Sequence, residues 1–307
     1  MVSPHTVSRR ALHPNGPTLS RLVWGAWRAR DAAALAEPQG LVRMIETCLE
    51  HGITSFDHAD IYGQYQVEAL FGDALRLDPA LKGRMEIVTK CDIALVSSAR
   101  PGNRVKHYDT SAAHIRASVE RSLAALGVER IDVLLLHRPD PLMDADEVAR
   151  TLEILVAEGK IAHAGVSNHT VEQMRLLASR LPFPLVTNQI ELSVLHTEPL
   201  ESGILDHLQA ERIAPMIWSP LGGGRLFASP PEGALGRTMA ELCEKYSLAG
   251  PGPLAIAWLL RLPVRPVPVL GTTSLSRIGE LAAADAVEME RQDWFALLEA
   301  ARGRAVP

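Results

Sequence analysis

Short apolar, β-branched runs alternate with longer amphipathic stretches along this 307-residue chain, and that alternation narrows the possible folds more than any other feature. The candidate strands are Leu22–Trp24, Ile53–Phe56, Glu86–Lys90, Ile131–Leu136, Ile161–Val166, Leu185–Gln189, Ala214–Trp218 and Val264–Leu270. Several are nearly continuous in apolar residues, as in Ile131-Asp132-Val133-Leu134-Leu135-Leu136, and such runs suit parallel strands buried on both faces. The helical period predicts Gly40–Glu50, with Leu41, Met44, Ile45, Cys48 and Leu49 on one face, and Ser111–Leu126, with Ile115, Val119, Leu123 and Leu126. Asp144 followed by Glu147 reads as a capping box opening the next helix. Val171–Ser179, Glu201–Ala210, Thr238–Tyr246, Pro253–Leu260 and Ser274–Ala284 continue the series, and Arg291–Ala301 is an extra C-terminal helix. This pattern predicts an α/β fold, a (β/α)8 TIM barrel, with a doubly wound sheet as the competing architecture. No linker divides the chain, so residues 1–307 are expected to form a single domain. The segment before the first strand is expected to form a hairpin capping the barrel bottom. Asp92–Thr110 and Gly222–Gly236 are long for simple connectors, and long loops in compact domains tend to be functional.

Composition removes several function classes. Hydrophobic residues at 47% against charged residues at 22% are enough to bury a core. A net charge of −5 speaks against a nucleic-acid partner. Cys48, Cys91 and Cys243 are dispersed and lack CxxC spacing, which argues against a disulfide framework or a zinc knuckle and fits a reducing compartment. The longest apolar runs, such as Leu254 to Leu260, fall far short of the ~18 residues of a membrane helix, so no membrane partner is expected. Arg9-Arg10 is not followed by an apolar stretch of the kind found in secretory or twin-arginine signals. The expected location is the cytoplasm.

Active sites in such barrels lie at the C-terminal ends of the strands. Those ends deliver Asp57 and then Tyr62, Lys90, His137, Ser167 with Asn168, Asn188 with Gln189, Trp218 with Ser219, and Gly271-Thr272-Thr273-Ser274. Singly each has an ordinary structural use: Tyr62 in packing, Lys90 reaching out to solvent, His137 as a hydrogen-bonded core residue, Asp57 capping a turn. Their arrival together favours chemistry. A phenol with an ordinary pKa of ~10 is a poor acid at neutral pH. A nearby ammonium favours phenolate and lowers that pKa, a carboxylate keeps the ammonium charged, and a histidine can polarise a carbonyl. The set suits proton donation to an oxygen gaining charge as hydride reduces a carbonyl, and the hydride has to come from a cofactor.

The stretch Gly52-Ile-Thr-Ser-Phe56-Asp57-His-Ala-Asp-Ile-Tyr62-Gly63 through Glu68 resembles the first signature of the aldo-keto reductases. Leu126-Gly127-Val-Glu-Arg-Ile-Asp132-Val-Leu-Leu-Leu-His137 resembles their second. Lys90, Gly165-Val-Ser167-Asn168, Asn188-Gln189 and Trp218-Ser219-Pro220-Leu221-Gly222 follow in the family's order, and the resemblance runs from about Leu22 to Ala284. The run from His137 to Val148, HRPDPLMDADEV, resembles a bacterial branch of the family. The resemblance implies a metal-free, NAD(P)(H)-dependent barrel. Tyr62 would be the general acid, Lys90 would depress its pKa, Asp57 would pair with Lys90, and His137 would position the substrate carbonyl. Trp218 would stack on the nicotinamide, with Ser167, Asn168 and Gln189 bonding its carboxamide. Gly25-Ala26-Trp27 matches a segment that touches the cofactor, and Trp27 can also wall the substrate pocket.

Leu221-Gly222-Gly223-Gly224-Arg225 would let backbone N–H groups approach a pyrophosphate, with Arg225 as counter-charge. Thr272, Ser274 and Arg277 open a helix and suit the 2′-phosphate of NADPH, while Glu280 matches an adenine-binding position. Two positions depart from the family: Gly271 where many members have Lys, and Leu281 where Asn is frequent. NADPH is still expected over NADH. Gly250-Pro-Gly252-Pro-Leu-Ala255 mimics a dinucleotide fingerprint but follows a helical pattern, and its prolines lack the N–H groups a phosphate needs. His58 and Asp60 have no third metal ligand at useful spacing. The expected function is NADPH-dependent reduction of a small-molecule aldehyde or ketone to an alcohol. An NADP(H)-binding sensor with little turnover and a metal-dependent barrel hydrolase stand as alternatives. The substrate and the oligomeric state are left open, and the Asp92–Thr110 segment is expected to help form the substrate pocket.

Overall fold

A computed structural model describes residues 6–228 and 233–307. Eight parallel strands close into a barrel in chain order: Val23–Gly25, Ser55–Asp57, Glu86–Cys91, Ile131–Leu136, Ile161–Ser167, Asn188–Glu191, Met216–Trp218 and Val267–Leu270. The eighth strand returns to the first through Val269↔Val23 and Leu270↔Trp24. The Trp24 indole N–H reinforces that seam by donating to the Thr272 carbonyl at 2.9 Å. The barrel is the predicted architecture, and the doubly wound alternative is ruled out by closure.

The period of two along each strand decides what the barrel holds. Val23, Val88, Leu135, Met216 and Val269 pack in one interior cluster. Two residues further along the same strands come Gly25, Lys90, His137, Trp218 and Gly271. The apolar layer thus forms a floor, and the next layer toward the C-terminal mouth carries the polar groups. Below the floor, strands Arg9–Ala11 and Thr18–Ser20 pair antiparallel as the expected hairpin. Leu12 and Leu19 from this hairpin join the interior cluster, and the Leu12 carbonyl accepts the Ala214 N–H at 2.7 Å. The hairpin is a plug that closes the barrel bottom.

The surrounding helices follow the sequence pattern with instructive differences. Val67–Leu77 is a helix that the strand–helix reading does not include. It packs where Gly72 meets the helix Ala112–Leu126 so closely that a Cβ would lie 2.0 Å from the Ala125 carbonyl oxygen. Asp144 does cap the helix Ala145–Ala157, accepting from the N–H groups of Asp146 and Glu147. The Glu147 carboxylate does not complete a capping box; it accepts the Ala112 N–H at 2.8 Å and so joins two helices. The reciprocal box is made instead by Thr170 and Gln173. The Gly250 segment does follow a helix, Gly233–Lys245, and opens another, Pro251–Leu260. The extra helix Arg291–Arg302 is present, its Trp294 stacked on Trp258 at 5.0 Å. Residues 92–110 contain a short antiparallel pair, Ile93–Ala94 with His107–Tyr108. Of the predicted 222–236 stretch, residues 229–232 lie outside the described residues. Among the described residues no helix is long and apolar enough to cross a membrane.

Leu19→Ala is expected to lower the unfolding free energy by about 2–5 kcal/mol, because the floor it fills cannot collapse. Urea unfolding should show a lower midpoint with an unchanged slope.

Candidate active site

The strand ends converge on Lys90. Its ammonium lies 2.7 Å from each Asp57 carboxylate oxygen, 2.7 Å from the His58 carbonyl oxygen and 3.1 Å from the Tyr62 hydroxyl. Lys90 and Asp57 are buried at 1% and 2% exposure, so the pair depends on these bonds to offset its lost hydration. The backbone that carries Tyr62 is strained: Gly63, Gln64 and Tyr65 all adopt left-handed conformations at φ 55°, 58° and 68°. Only the first is a glycine, and left-handed backbone costs other residues on the order of 1–2 kcal/mol each. The Tyr65 hydroxyl holds this turn by accepting the Leu95 N–H at 2.8 Å.

Burial pushes the Tyr62 phenol above its ordinary pKa, and Lys90 pulls it only part of the way back. The expected downward pull of the ammonium on the phenol is there, and burial outweighs it. Burial opposes the charge on Lys90 most strongly, but the Asp57 carboxylate and the Tyr62 hydroxyl together more than offset it and hold the ammonium above its ordinary value. His137 is held well below its usual pKa by burial and by the charges of Lys90, Arg138 and Lys106. It is neutral at physiological pH, with Nδ1 buried and unpartnered. Its ring stands 6.1 Å from that of Tyr62, and Trp27 packs edge-on against Tyr62 from the other side at 4.9 Å.

A second chain of hydrogen bonds runs around the mouth. The Trp218 indole donates to Asn168 Oδ1 at 2.9 Å, Asn168 Nδ2 donates to Ser167 Oγ at 2.8 Å, and Ser167 Oγ donates to the Gln189 carbonyl at 2.9 Å. Gln189 Nε2 then donates to Asp57 Oδ1 at 2.8 Å. The indole plane is thus tied to the buried ion pair. Asn168 and Ser219 hold φ of 58° and 50°, further left-handed residues at strand ends.

These groups surround a cleft of about 710 Å³. Gly25, Trp27, Asp57, Tyr62, His137 and Ser167 line it, as do Asn168, Gln189, Trp218, Ser219, Pro220, Leu221, Gly224, Gly271, Thr272 and Arg277. Other expected residues are not on its wall. Ala26 and Gly222 are buried, Lys90 lies behind Tyr62, and Ser274 bonds Ser276 at 3.0 Å. Glu280 is exposed outside the wall. Arg225 is also exposed and turns its Nε to the Gly222 carbonyl at 2.9 Å. The cation that does reach the glycine segment is Arg28, which donates to the Gly223 carbonyl at 2.7 Å. Arg28, Lys106, Arg138 and Phe227 line the cleft without having been expected there. Among the described residues no three potential ligands gather as a metal site.

The sequence profile of the Aldo/keto reductase family matches residues 21–302. Oxidoreductase YdhF of Escherichia coli (strain K12) is 47% identical over 98% of this chain and 100% of its own length. A 6-dehydroglucose reductase of Agrobacterium fabrum is 49% identical over 94% of this chain and 96% of its own. Among solved structures, a thermostable aldo-keto reductase, Tm1743, superposes with a TM-score of 0.80, covering 96% of this chain and 100% of that one at 21% identity, a likeness of fold. With its profile match over nearly the whole barrel and relatives of this closeness, the chain belongs to the aldo-keto reductase family, oxidoreductases that work with nicotinamide cofactors.

Proposed function

We propose that this protein reduces an aldehyde or ketone to the alcohol, with NADPH as reductant and Tyr62 as the proton donor. The observation that carries this reading is the Tyr62 hydroxyl at the cleft wall, 3.1 Å from an ammonium buried behind it. The cleft suits a dinucleotide. Its volume lies within the range of cofactor sites, and Gly223 and Gly271 leave open space where a Cβ would stand. One end presents the fixed indole of Trp218 beside Ser167, Asn168 and Gln189; the other presents Arg28, Thr272 and Arg277. NADPH, when bound, supplies the hydride.

The protein's own groups manage the proton. Because the phenol of Tyr62 stays protonated well past neutral pH, it is available to give its proton to the carbonyl oxygen as negative charge develops there. The phenolate left behind is stabilised by Lys90, which Asp57 keeps charged and in place. Solvent then returns a proton to the phenolate. Neutral His137 can hydrogen-bond the same carbonyl oxygen, and it does not compete as an acid. Trp27 and Ile61 cover the approach with apolar surface. The name of the Agrobacterium relative makes a sugar aldehyde a natural first assay substrate.

Three outcomes test the reading. Tyr62→Phe should lower kcat for carbonyl reduction by about 10²–10⁴-fold while NADPH still quenches tryptophan fluorescence, the size expected for loss of a general acid. Full activity in this variant would remove the mechanism. In an ultraviolet difference titration of wild type against Tyr62→Phe, the missing phenol should ionise above the range of free tyrosine. Against a Lys90→Met background it should ionise later still, since the downward pull is gone. Arg277→Ala should weaken NADPH at least about tenfold and NADH little, a loss of the size of one charge-assisted bond to a phosphate. Equal weakening of both would locate the 2′-phosphate elsewhere.

A further inference from the structure

The cations of the cleft fall into two groups. Arg28 bonds the Gly223 carbonyl, and Arg277 lies over the Phe227 ring at 4.9 Å, so both belong to the side built by the last two barrel strands. Lys106 and Arg138 stand nearer His137. Lys106 comes from the segment joining Ile93–Ala94 to His107–Tyr108. Arg138 follows His137 directly, its backbone N–H fixed by the buried Asp92 carboxylate at 3.1 Å and its guanidinium 5.8 Å from the Trp218 ring centre. Both are close enough for their charge to bear on His137, and Arg138 also bears on Tyr62. Neither has a carboxylate partner among the described residues.

The balance of donors and acceptors at this end is lopsided. Among the described residues the one carboxylate on the cleft wall, Asp57, is engaged by Lys90 and Gln189. What remains around the reacting position is the Tyr62 hydroxyl, His137, an ammonium and a guanidinium, walled by Trp27, Ile61 and Ile93. A neutral polyol could hydrogen-bond the amides, hydroxyls and carbonyls of this wall, but it would leave both positive charges uncompensated. A carboxylate or phosphate brings acceptors only, together with the charge that two unpaired cations lack.

We propose that Lys106 and Arg138 determine substrate specificity by binding an oxyanion, a carboxylate or a phosphate, carried by the carbonyl substrate beyond its reacting carbon. The proposal rests on the carbonyl-reductase reading of the same site. The carbonyl carbon still receives hydride and its oxygen the Tyr62 proton; the oxyanion takes no part in bond making and serves to hold the substrate.

Two matched pairs test it with the full-length protein and NADPH: succinic semialdehyde against butanal, and glyceraldehyde 3-phosphate against glyceraldehyde. The charged member should have the higher kcat/KM by at least about tenfold at low salt, mainly through KM. The advantage should shrink as ionic strength rises, because Lys106 is exposed and its attraction is screened. The pair with the larger ratio identifies carboxylate or phosphate as the preferred group. Lys106→Met and Arg138→Met should each cut the charged-to-neutral ratio about tenfold. A preference for glyceraldehyde over every charged substrate, or variants that slow charged and neutral members equally, would overturn the proposal. A readout independent of turnover uses the products. In the presence of NADP+, calorimetry should detect 4-hydroxybutyrate but not 1-butanol, and the signal should be lost in both variants. Oxyanion binding that survives both substitutions, or is absent in the wild type, also overturns it. Failure of the reductase reading looks different: NADPH binds and no carbonyl of either pair is consumed.

Discussion

A buried ammonium held between two carboxylate oxygens is the constraint on which the rest of this site depends. Removing Lys90 and Asp57 from water costs several kcal/mol per ion, and their attraction repays it only if the remaining donors and acceptors are met. The barrel meets them from two adjacent strands and from one across its interior. The second supplies Asp57 and the His58 carbonyl, the third supplies Lys90, and the sixth contributes the Gln189 amide. One acceptor, the Tyr62 hydroxyl, faces the cleft. The same bond that completes the buried network therefore brings positive charge to the point where a phenolate would form. Stability and chemistry draw on one arrangement, which explains why the polar layer rests on a tightly packed apolar floor.

That layer was legible in the sequence because strand periodicity is a short-range rule. Once Val88 and Leu135 point inward, Lys90 and His137 must do so too. The helix Val67–Leu77 was legible in principle: Val67, Leu70, Phe71, Ala74 and Leu75 have helical spacing. Its first turn carries Glu68, a charged residue that breaks the apolar pattern yet is buried, accepting from Thr89 and Ser122 at 2.6 and 2.9 Å. Long side chains were the least legible. Arg225, adjacent to the glycines, curls back on its own turn, whereas Arg28, almost two hundred residues away, crosses the cleft to them. Spacing along the chain says where a guanidinium starts and nothing about where it ends. The reversal in Tyr62 has the same character: the sequence shows that a lysine stands nearby, but only burial decides which influence on the phenol is larger.

The two sides of the cleft are built differently. On the side of Trp218, each polar side chain bonds another, from the indole through Asn168 and Ser167 to Gln189 and Asp57. The left-handed residue Asn168 sits within that chain, and the left-handed Ser219 directly follows its Trp218. On the side of Lys106 the wall is a hairpin with two residues in each strand, its connecting segment held by Asn103 Nδ2, which donates to the Leu95 carbonyl at 2.9 Å.

The plug beneath the barrel has a consequence for how the chain acquires this shape. Leu12 and Leu19 are made early in synthesis, but the surface they cover includes Met216, Val267 and Val269, and the Leu12 carbonyl waits for the Ala214 N–H. Contacts spanning so much of the chain form slowly, since a long loop has to close before they return any energy. Val23, Val88 and Val133 offer part of that surface earlier, but until the last strands are made the hairpin's cover is incomplete. The nascent protein must carry two incompletely covered leucines past the ribosome until its last barrel strand emerges, a demand on chaperone capacity that the finished barrel, with both leucines at 0% exposure, no longer reveals.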